Sequence, residues 1–255
     1  MPETDAGGVR SVQRAVELLA LFDTEHPSRP LRELVDATGL PKTTVVRLVR
    51  TLEQCGLLWS RGDGHLVPGT GLLRWAELAG RTWRLPEEAL LALARLSEAS
   101  GGETASVYVR QRHTRVCVAR HEGTRTLRHV VHVGAEMPLW SGAASHVLLS
   151  RADPAELAAV AALAPDGGGG ELLPALRERA ARAAENGMAV SHGEREPGVS
   201  GVAAPVFAAS GRLTAAVALG GPTSRFTDEA VAALAPALLD TARTLTALDC
   251  IGGTA

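Results

Sequence analysis

Lys42, Thr43, Thr44, Arg47 and Arg50 gather three cations and two hydroxyls within a short stretch, Leu40 to Leu52. Between them Val45, Leu48, Val49 and Leu52 recur at helical spacing. A helix here turns the apolar set toward a core and leaves Thr43, Thr44, Arg47, Arg50 and Thr51 on the other side. That side can hydrogen-bond to nucleic acid. Arg forks onto guanine or pairs with phosphate, and Thr donates to phosphate or touches a thymine methyl. No carboxylate opposes these groups before Glu53. Pro41 suits a first helical turn, where a missing N–H costs nothing, and Leu40 before it is steered away from helical geometry. A solvated amphipathic helix would carry the same pattern, so the neighbouring elements decide the reading.

Those neighbours supply a scaffold. Leu31 to Thr38 forms a short helix with Leu31, Leu34 and Val35 inward, and Gly39 follows where a sharp turn between helices wants a residue tolerant of positive φ. Ser11 to Phe22 offers Val12, Ala15, Leu18, Leu19 and Phe22 on one helical face. Downstream, 57–60 and 65–68 flank Arg61-Gly62-Asp63-Gly64, a hairpin signal with Asp-Gly in its turn. Together these predict a winged helix–turn–helix whose second helix enters the major groove of double-stranded operator DNA. The DNA-contacting residues are then Lys42, Thr43, Thr44, Arg47 and Arg50, with Arg61 on the wing. Residues 39–61 hold Lys42, Arg47, Arg50 and Arg61 against Glu53 alone, although the chain as a whole carries a net charge of −2. Binding must therefore rest on local charge placement.

The chain's 255 residues leave room for a second domain. Residues 1–8 read as a disordered arm, 9–70 as the winged helix–turn–helix and 71–84 as a linker helix. Leu72, Leu73, Trp75, Ala76 and Leu78 make the linker apolar enough to pack on something, either a second subunit or the domain that follows. Residues 85–250 alternate helices at 85–99, 141–151, 153–163, 171–186 and 228–248 with strands at 104–111, 115–120, 127–133, 199–207 and 213–220. The segment 165–170 is a loop. This order predicts an α+β domain with an antiparallel sheet. Cys55, Cys117 and Cys250 stand apart with no CxxC, which fits a reducing cytoplasm. Neither a signal peptide nor an apolar run of membrane-spanning length is visible.

Catalysis and metal binding find little support. Cys117, His113 and His121 lie in no nucleophile motif. His129 and His132, three residues apart on a strand, would point to opposite faces as exposed side chains. The sequence suggests no enzyme, no metal and no cofactor.

Three stretches together resemble the IclR-type transcriptional regulators over essentially the whole chain. They are 10–15 with 38–48, then Val133-Gly134-Ala135-Glu136-Met137-Pro138-Leu139-Trp140-Ser141-Gly142-Ala143-Ala144, then 187–190 with 194–199, 203–206 and Gly221-Pro222. The resemblance implies a GAF/profilin-like effector-binding domain, dimers or dimers of dimers on DNA, and a small-molecule effector, often a carboxylate. Residues 193–206 are most similar to an actinobacterial branch linked to amino-acid biosynthesis. The resemblance puts the effector site at the helix start Ser141-Gly142-Ala143 and at Ser191, Val199, Gly201, Ala218 and Gly220. With Ser141 as N-cap, free N–H groups there would favour an anion, and small residues would let it approach. Met137 would help to support the apolar part. The family often carries an acid at 191, a cysteine at 201 and serines at 218 and 220, so this pocket should be roomier and less polar, suited to a larger, partly apolar acid. Trp140 reads as a core aromatic more than a pocket wall. A second domain that senses no metabolite and only makes subunit or polymerase contacts is the alternative.

Overall fold

The computed structural model describes residues 8–23, 25–165 and 169–251. The arm expected at 1–8 lies outside that range except for Gly8; of the loop expected at 165–170, residues 166–168 lie outside it, while Gly169 and Gly170 already begin a helix. The chain divides into two compact units at Thr82/Trp83.

In the first unit, α1 (Arg10–Leu19), α2 (Leu31–Thr38) and α3 (Lys42–Gln54) surround Leu18, Leu34, Val45, Val49 and Leu52, all buried. Gly39 ends α2 at φ +63°, and its N–H donates to Val35 O at 3.0 Å. This left-handed cap lets the chain turn abruptly into α3. Pro41 stands just before α3 and not in its first turn. Strands β2 (Leu58–Ser60) and β3 (His65–Pro68) form the wing, and β3 also pairs with β1 (Arg29–Pro30), two residues that sequence periodicity did not reveal. Leu58 and Leu66 seal the sheet onto the helices. Val12, expected inward, is exposed. Helix α4 (Gly71–Thr82) buries none of its side chains, and Leu73, Trp75 and Leu78 all face solvent.

The second unit opens with α5 (Glu87–Ala99), and its sheet takes the order β6-β5-β4-β9-β8-β7, antiparallel throughout. The strands are β4 (Thr104–Gln111), β5 (Thr114–His121), β6 (Glu136–Pro138), β7 (Ala189–His192), β8 (Val199–Phe207) and β9 (Leu213–Pro222). Helix α5 and α9 (Asp228–Ala247) cover one face, packing Leu93, Leu96, Leu238 and Leu245 on Val107, Val202, Val217 and Leu219. The other face lies under α6 (Ala143–Leu148), α7 (Pro154–Ala161) and α8 (Gly169–Asn186). Strand alternation decides which residue meets which layer. On β8 and β9 the large Val202, Val217 and Leu219 go to the α5/α9 side. The small Ala203, Ala216 and Ala218 go to the α6 side. Two layers of helices explain why the strands are apolar on both faces.

The expected strand at 127–133 is a loop. Residues 136–138 pair with β5 in its place, with Arg115 opposite Met137. The loop's carbonyls are met by arginines: Arg225 Nη2 donates to Leu127 O at 2.8 Å and Arg120 Nη1 to Val131 O at 2.6 Å. Alternating valines resemble a strand, but side chains supply the hydrogen bonds that a ladder would have supplied. Strand β7 was not expected. The helix expected at 141–151 is the six residues of α6.

Candidate functional site

The first surface lies on α3. Lys42, Thr43, Arg47 and Arg50 are exposed, and Thr44 is half-buried. Among the described residues Lys42, Arg47 and Arg50 enter no ion pair. Glu53, the helix's one carboxylate, accepts a hydrogen bond from Ser60 Oγ on the wing. The cations of α3 are therefore left unneutralised. Arg61 differs, since its Nε lies 3.7 Å from Asp63 Oδ2 in an exposed pair. Such pairs are weak enough for a phosphate to displace. Arg10 and Arg14 on α1 line the same groove as Thr44, Arg47 and Thr51. Sequence reading missed them, although their i,i+4 spacing placed them on one helix face.

The second surface is a cavity of about 60 Å³ between β4, β8, β9 and the start of α6. Gly142, Ala143, Ser191, Val199, Gly201, Ala218 and Gly220 all border it. Met137 and Ser141 do not. Both are buried behind its wall, where Ser141 O accepts from Arg115 Nη1 at 2.6 Å and Met137 Sδ lies 3.1 Å from Arg195 Nη1. Trp140 packs against the core beneath α6 and does not border the cavity.

The cavity is not apolar. Ser106, Tyr108, Arg115, His129, Arg195 and Ser200 also line it, and sequence reading had assigned none of them. Arg115 is 5% exposed. Its Nη1 donates to Pro138 O at 3.0 Å and to Ser145 Oγ. Its guanidinium carbon lies 5.5 Å over the Tyr108 ring. Its Nε and Ser106 Oγ are buried without a hydrogen-bond partner among the described residues. Among the described residues no carboxylate comes within ion-pair range of Arg115, and Glu194 acts on it only at longer range. Burial pulls its pKa down to about 10, with Arg195 adding to the effect, and it stays charged at neutral pH. The only signal in the sequence was an Arg in a Val-rich strand, which reads equally well as an edge residue.

Arg195 Nη2 contacts His129 Nδ1 at 3.4 Å. Burial, then Arg195 and Arg115, pull His129 down to about 4, so the ring is neutral and can accept from Arg195. His129 therefore sits half-buried at the cavity, while His132 is an exposed loop residue.

The start of α6 departs from expectation in three ways. Gly142, not Ser141, is the N-cap, with φ +94° and ψ 152°. Its N–H donates to Glu194 Oε2 at 3.0 Å, and Ala143 N–H donates to Ser191 Oγ at 3.0 Å. These N–H groups are therefore occupied by the protein itself. Glu194 also lies 2.9 Å from His146 Nε2 and 3.4 Å from Arg179 Nη1. The His146 contact is close enough for an ion pair but bent away from a linear hydrogen bond. Burial alone would raise the Glu194 pKa, but His146, the Gly142 N–H and Arg179 together hold it below the usual carboxylate range. Finally, the absence of a side chain at 142 makes room for Arg115, since a Cβ there would stand 3.2 Å from Nη2.

The arrangement presents two guanidinium groups, one of them buried and in no ion pair among the described residues, to a small space also bordered by hydroxyls. That is the chemistry of anion recognition. Cys117 is buried, and burial pushes its pKa up to about 11, which keeps it a protonated thiol at neutral pH. Among the described residues no three His, Cys, Asp or Glu side chains converge as a metal site, and no helix is long and apolar enough to cross a membrane.

Comparison with known proteins places this architecture. The profile of the bacterial transcriptional regulator IclR C-terminal region matches residues 81–247, and that of the IclR helix–turn–helix domain matches residues 11–61. The HTH-type transcriptional regulator KipR of Bacillus subtilis is 29% identical over 237 residues, covering 91% of this chain and 94% of KipR. A crystal structure of an IclR-family regulator from Rhodococcus is 44% identical, with TM-score 0.63, covering 97% of this chain and 96% of that one. An IclR homolog from Microbacterium hydrocarbonoxydans, complexed with 4-hydroxybenzoate, is 22% identical and shares the fold at TM-score 0.71, covering 93% and 99%.

Proposed function

The chain belongs to the IclR family of bacterial transcriptional regulators, and from that premise we propose that it is a ligand-responsive regulator whose second unit senses a small carboxylate. Family membership makes it a DNA-binding regulator and not an enzyme. The ligand response is the further step, and the observation that carries it is Arg115. A buried guanidinium without a carboxylate partner is costly to keep, and a cavity beside it is where an anion would lower that cost. Arg195 adds a second cation at the same wall. The ligand's carboxylate lies between these two guanidiniums, not at the start of α6, where Glu194 already takes the N–H group. The 4-hydroxybenzoate complex of the Microbacterium homolog is in keeping with an acidic effector.

In this reading 9–70 is the DNA-binding domain, 71–84 the linker and 85–250 the effector-binding domain. Lys42, Thr43, Thr44, Arg47 and Arg50 face operator DNA, with Arg61, Arg10 and Arg14 near phosphates. The protein acts in the cytoplasm as a homodimer or a pair of dimers on a partly palindromic operator of a metabolic pathway, since one winged helix reads too few base pairs. The exposed Leu73, Trp75 and Leu78 of α4 offer an apolar dimer surface.

Two variants test the two halves. In gel-shift titration Arg47→Ala should weaken the cognate operator by about 1–3 kcal/mol if it forks onto a base. Unchanged affinity would remove the assigned face. In calorimetry against small carboxylates, Arg195→Gln should weaken binding at least about tenfold, as loss of a charged partner does. Equal affinity for wild type and variant would move the anion site elsewhere.

A further inference from the structure

Helices α5 and α9 pack side by side on the sheet, and a groove of about 330 Å³ runs between their outer sides. Its floor is made of small residues: Ala92 and Thr241 are buried, with Ala237 beside them. The volume is more than twice the roughly 150 Å³ that holds a benzene ring, so a leucine side chain fits. At the rim stands such a side chain, Leu91, 49% exposed. Glu88 and Arg95 border the same groove, both exposed and in no ion pair among the described residues.

These residues are arranged symmetrically. Glu88, Leu91, Ala92 and Arg95 share one face of α5, because positions three, four and seven apart stack along a helix. Glu88 and Arg95 lie two turns apart, about 10 Å along the axis, so they do not meet on their own helix. Resting on the reading above that the protein assembles from several copies, we propose that this face of the second unit seats a second copy of the chain, α5 against α5 and antiparallel, about a twofold axis between Leu91 and Ala92. Each Glu88 then stands opposite the partner's Arg95, and each Leu91 enters the other copy's groove over Ala92. A twofold contact requires a patch that is its own complement, in which residue i meets j and j meets i. The order acid, leucine, alanine, base meets that requirement when reversed, whereas a different protein would need no such symmetry. Ala232, Ala233 and Pro236 on α9 are exposed and uncharged, and they widen the surface next to the groove. Asp240, the groove's other acid, is already 3.1 Å from Arg243 and is not needed for the contact. The apolar stripe of α4 belongs to the first unit. Two distinct self-complementary faces, one on each unit, are what a pair of dimers requires.

Sedimentation equilibrium of the full chain at micromolar concentration tests this. Arg95→Glu sets acid opposite acid at both ends of the contact, and Glu88→Arg sets base opposite base. Either variant alone should weaken this interface about tenfold to a hundredfold and halve the mass of the largest species. Mixed in equal amounts, the two variants restore both opposite-charge pairs and should associate like the wild type. Both positions are exposed, so thermal melts of the single variants should match the wild type. Leu91→Ala should weaken the interface at least about tenfold with no change in charge. Wild-type association in either charge variant alone, or a mixture that associates no better than its components, would overturn this interface. A wild-type dimer that none of these variants disturbs would also overturn it, while the assembly reading stands. A wild-type protein that is monomeric throughout would overturn the assembly reading and this interface with it.

Discussion

Gly142→Ala tests the account of the cavity most directly. Gly142 adopts φ +94° and ψ 152°, a region essentially reserved for glycine. Forcing a Cβ into it costs about 1–3 kcal/mol of backbone strain. The same Cβ would stand 3.2 Å from Arg115 Nη2 and 3.5 Å from Nη1. The guanidinium must then shift by a few tenths of an ångström, away from hydrogen bonds to Pro138 O and Ser141 O at 3.0 and 2.6 Å. A net loss near 2 kcal/mol, with a urea m-value of about 2 kcal/mol/M, lowers the unfolding midpoint of the second unit by about 1 M. Carboxylate affinity measured on the folded variant should fall as well, because the anion's main partner has moved. Urea titration followed by circular dichroism reads the first effect and calorimetry the second. If Gly142→Ala unfolds at the wild-type midpoint and binds carboxylates normally, then Gly142 is not a conformational requirement and does not position Arg115. The bulkier Gly142→Val adds more contacts against Arg115 and should fold more poorly still.

Three other outcomes follow from the structure. Lys42→Ala should weaken binding to all DNA sequences about equally and flatten the dependence of log K on log salt, by about one unit of slope, in titrations at several salt concentrations. Glu194→Gln should destabilise the second unit by about 1–3 kcal/mol at pH 7. The Glu194 pKa is depressed in the folded state, so its contribution is present above the unfolded value of about 4.3 and lost as pH falls through the lower folded value. The gap between wild-type and variant melts should therefore narrow steadily as pH falls below about 4.3, and a gap that stayed constant there would refute the assignment. Sedimentation at micromolar concentration should show a dimer or larger species, and only monomer with and without operator DNA would exclude the proposed assembly.

The DNA-binding unit was largely legible because its information is local. Val45, Val49 and Leu52 at helical spacing, Gly39 at the turn and Asp63-Gly64 at the wing tip each report on a few neighbouring residues, and periodicity reads that range well. Val12 was misjudged because a helix face tells which residues share a side, not how far the partner helices extend to cover it. Seven cavity positions, from Gly142 to Gly220, came from family resemblance, and they trace the backbone outline of the site. The groups that give the cavity its charge did not come through. Arg115 and Arg195 are 80 residues apart in sequence. They meet only because β6 pairs with β5 and the segment after β7 folds over the same sheet face. The helix start at 142 looked free because sequence cannot show that Glu194, 52 residues later, bends back to take its N–H group. Secondary structure here was written in short-range spacing. The electrostatics of the cavity depend on distances across the sheet, which no spacing along the chain encodes.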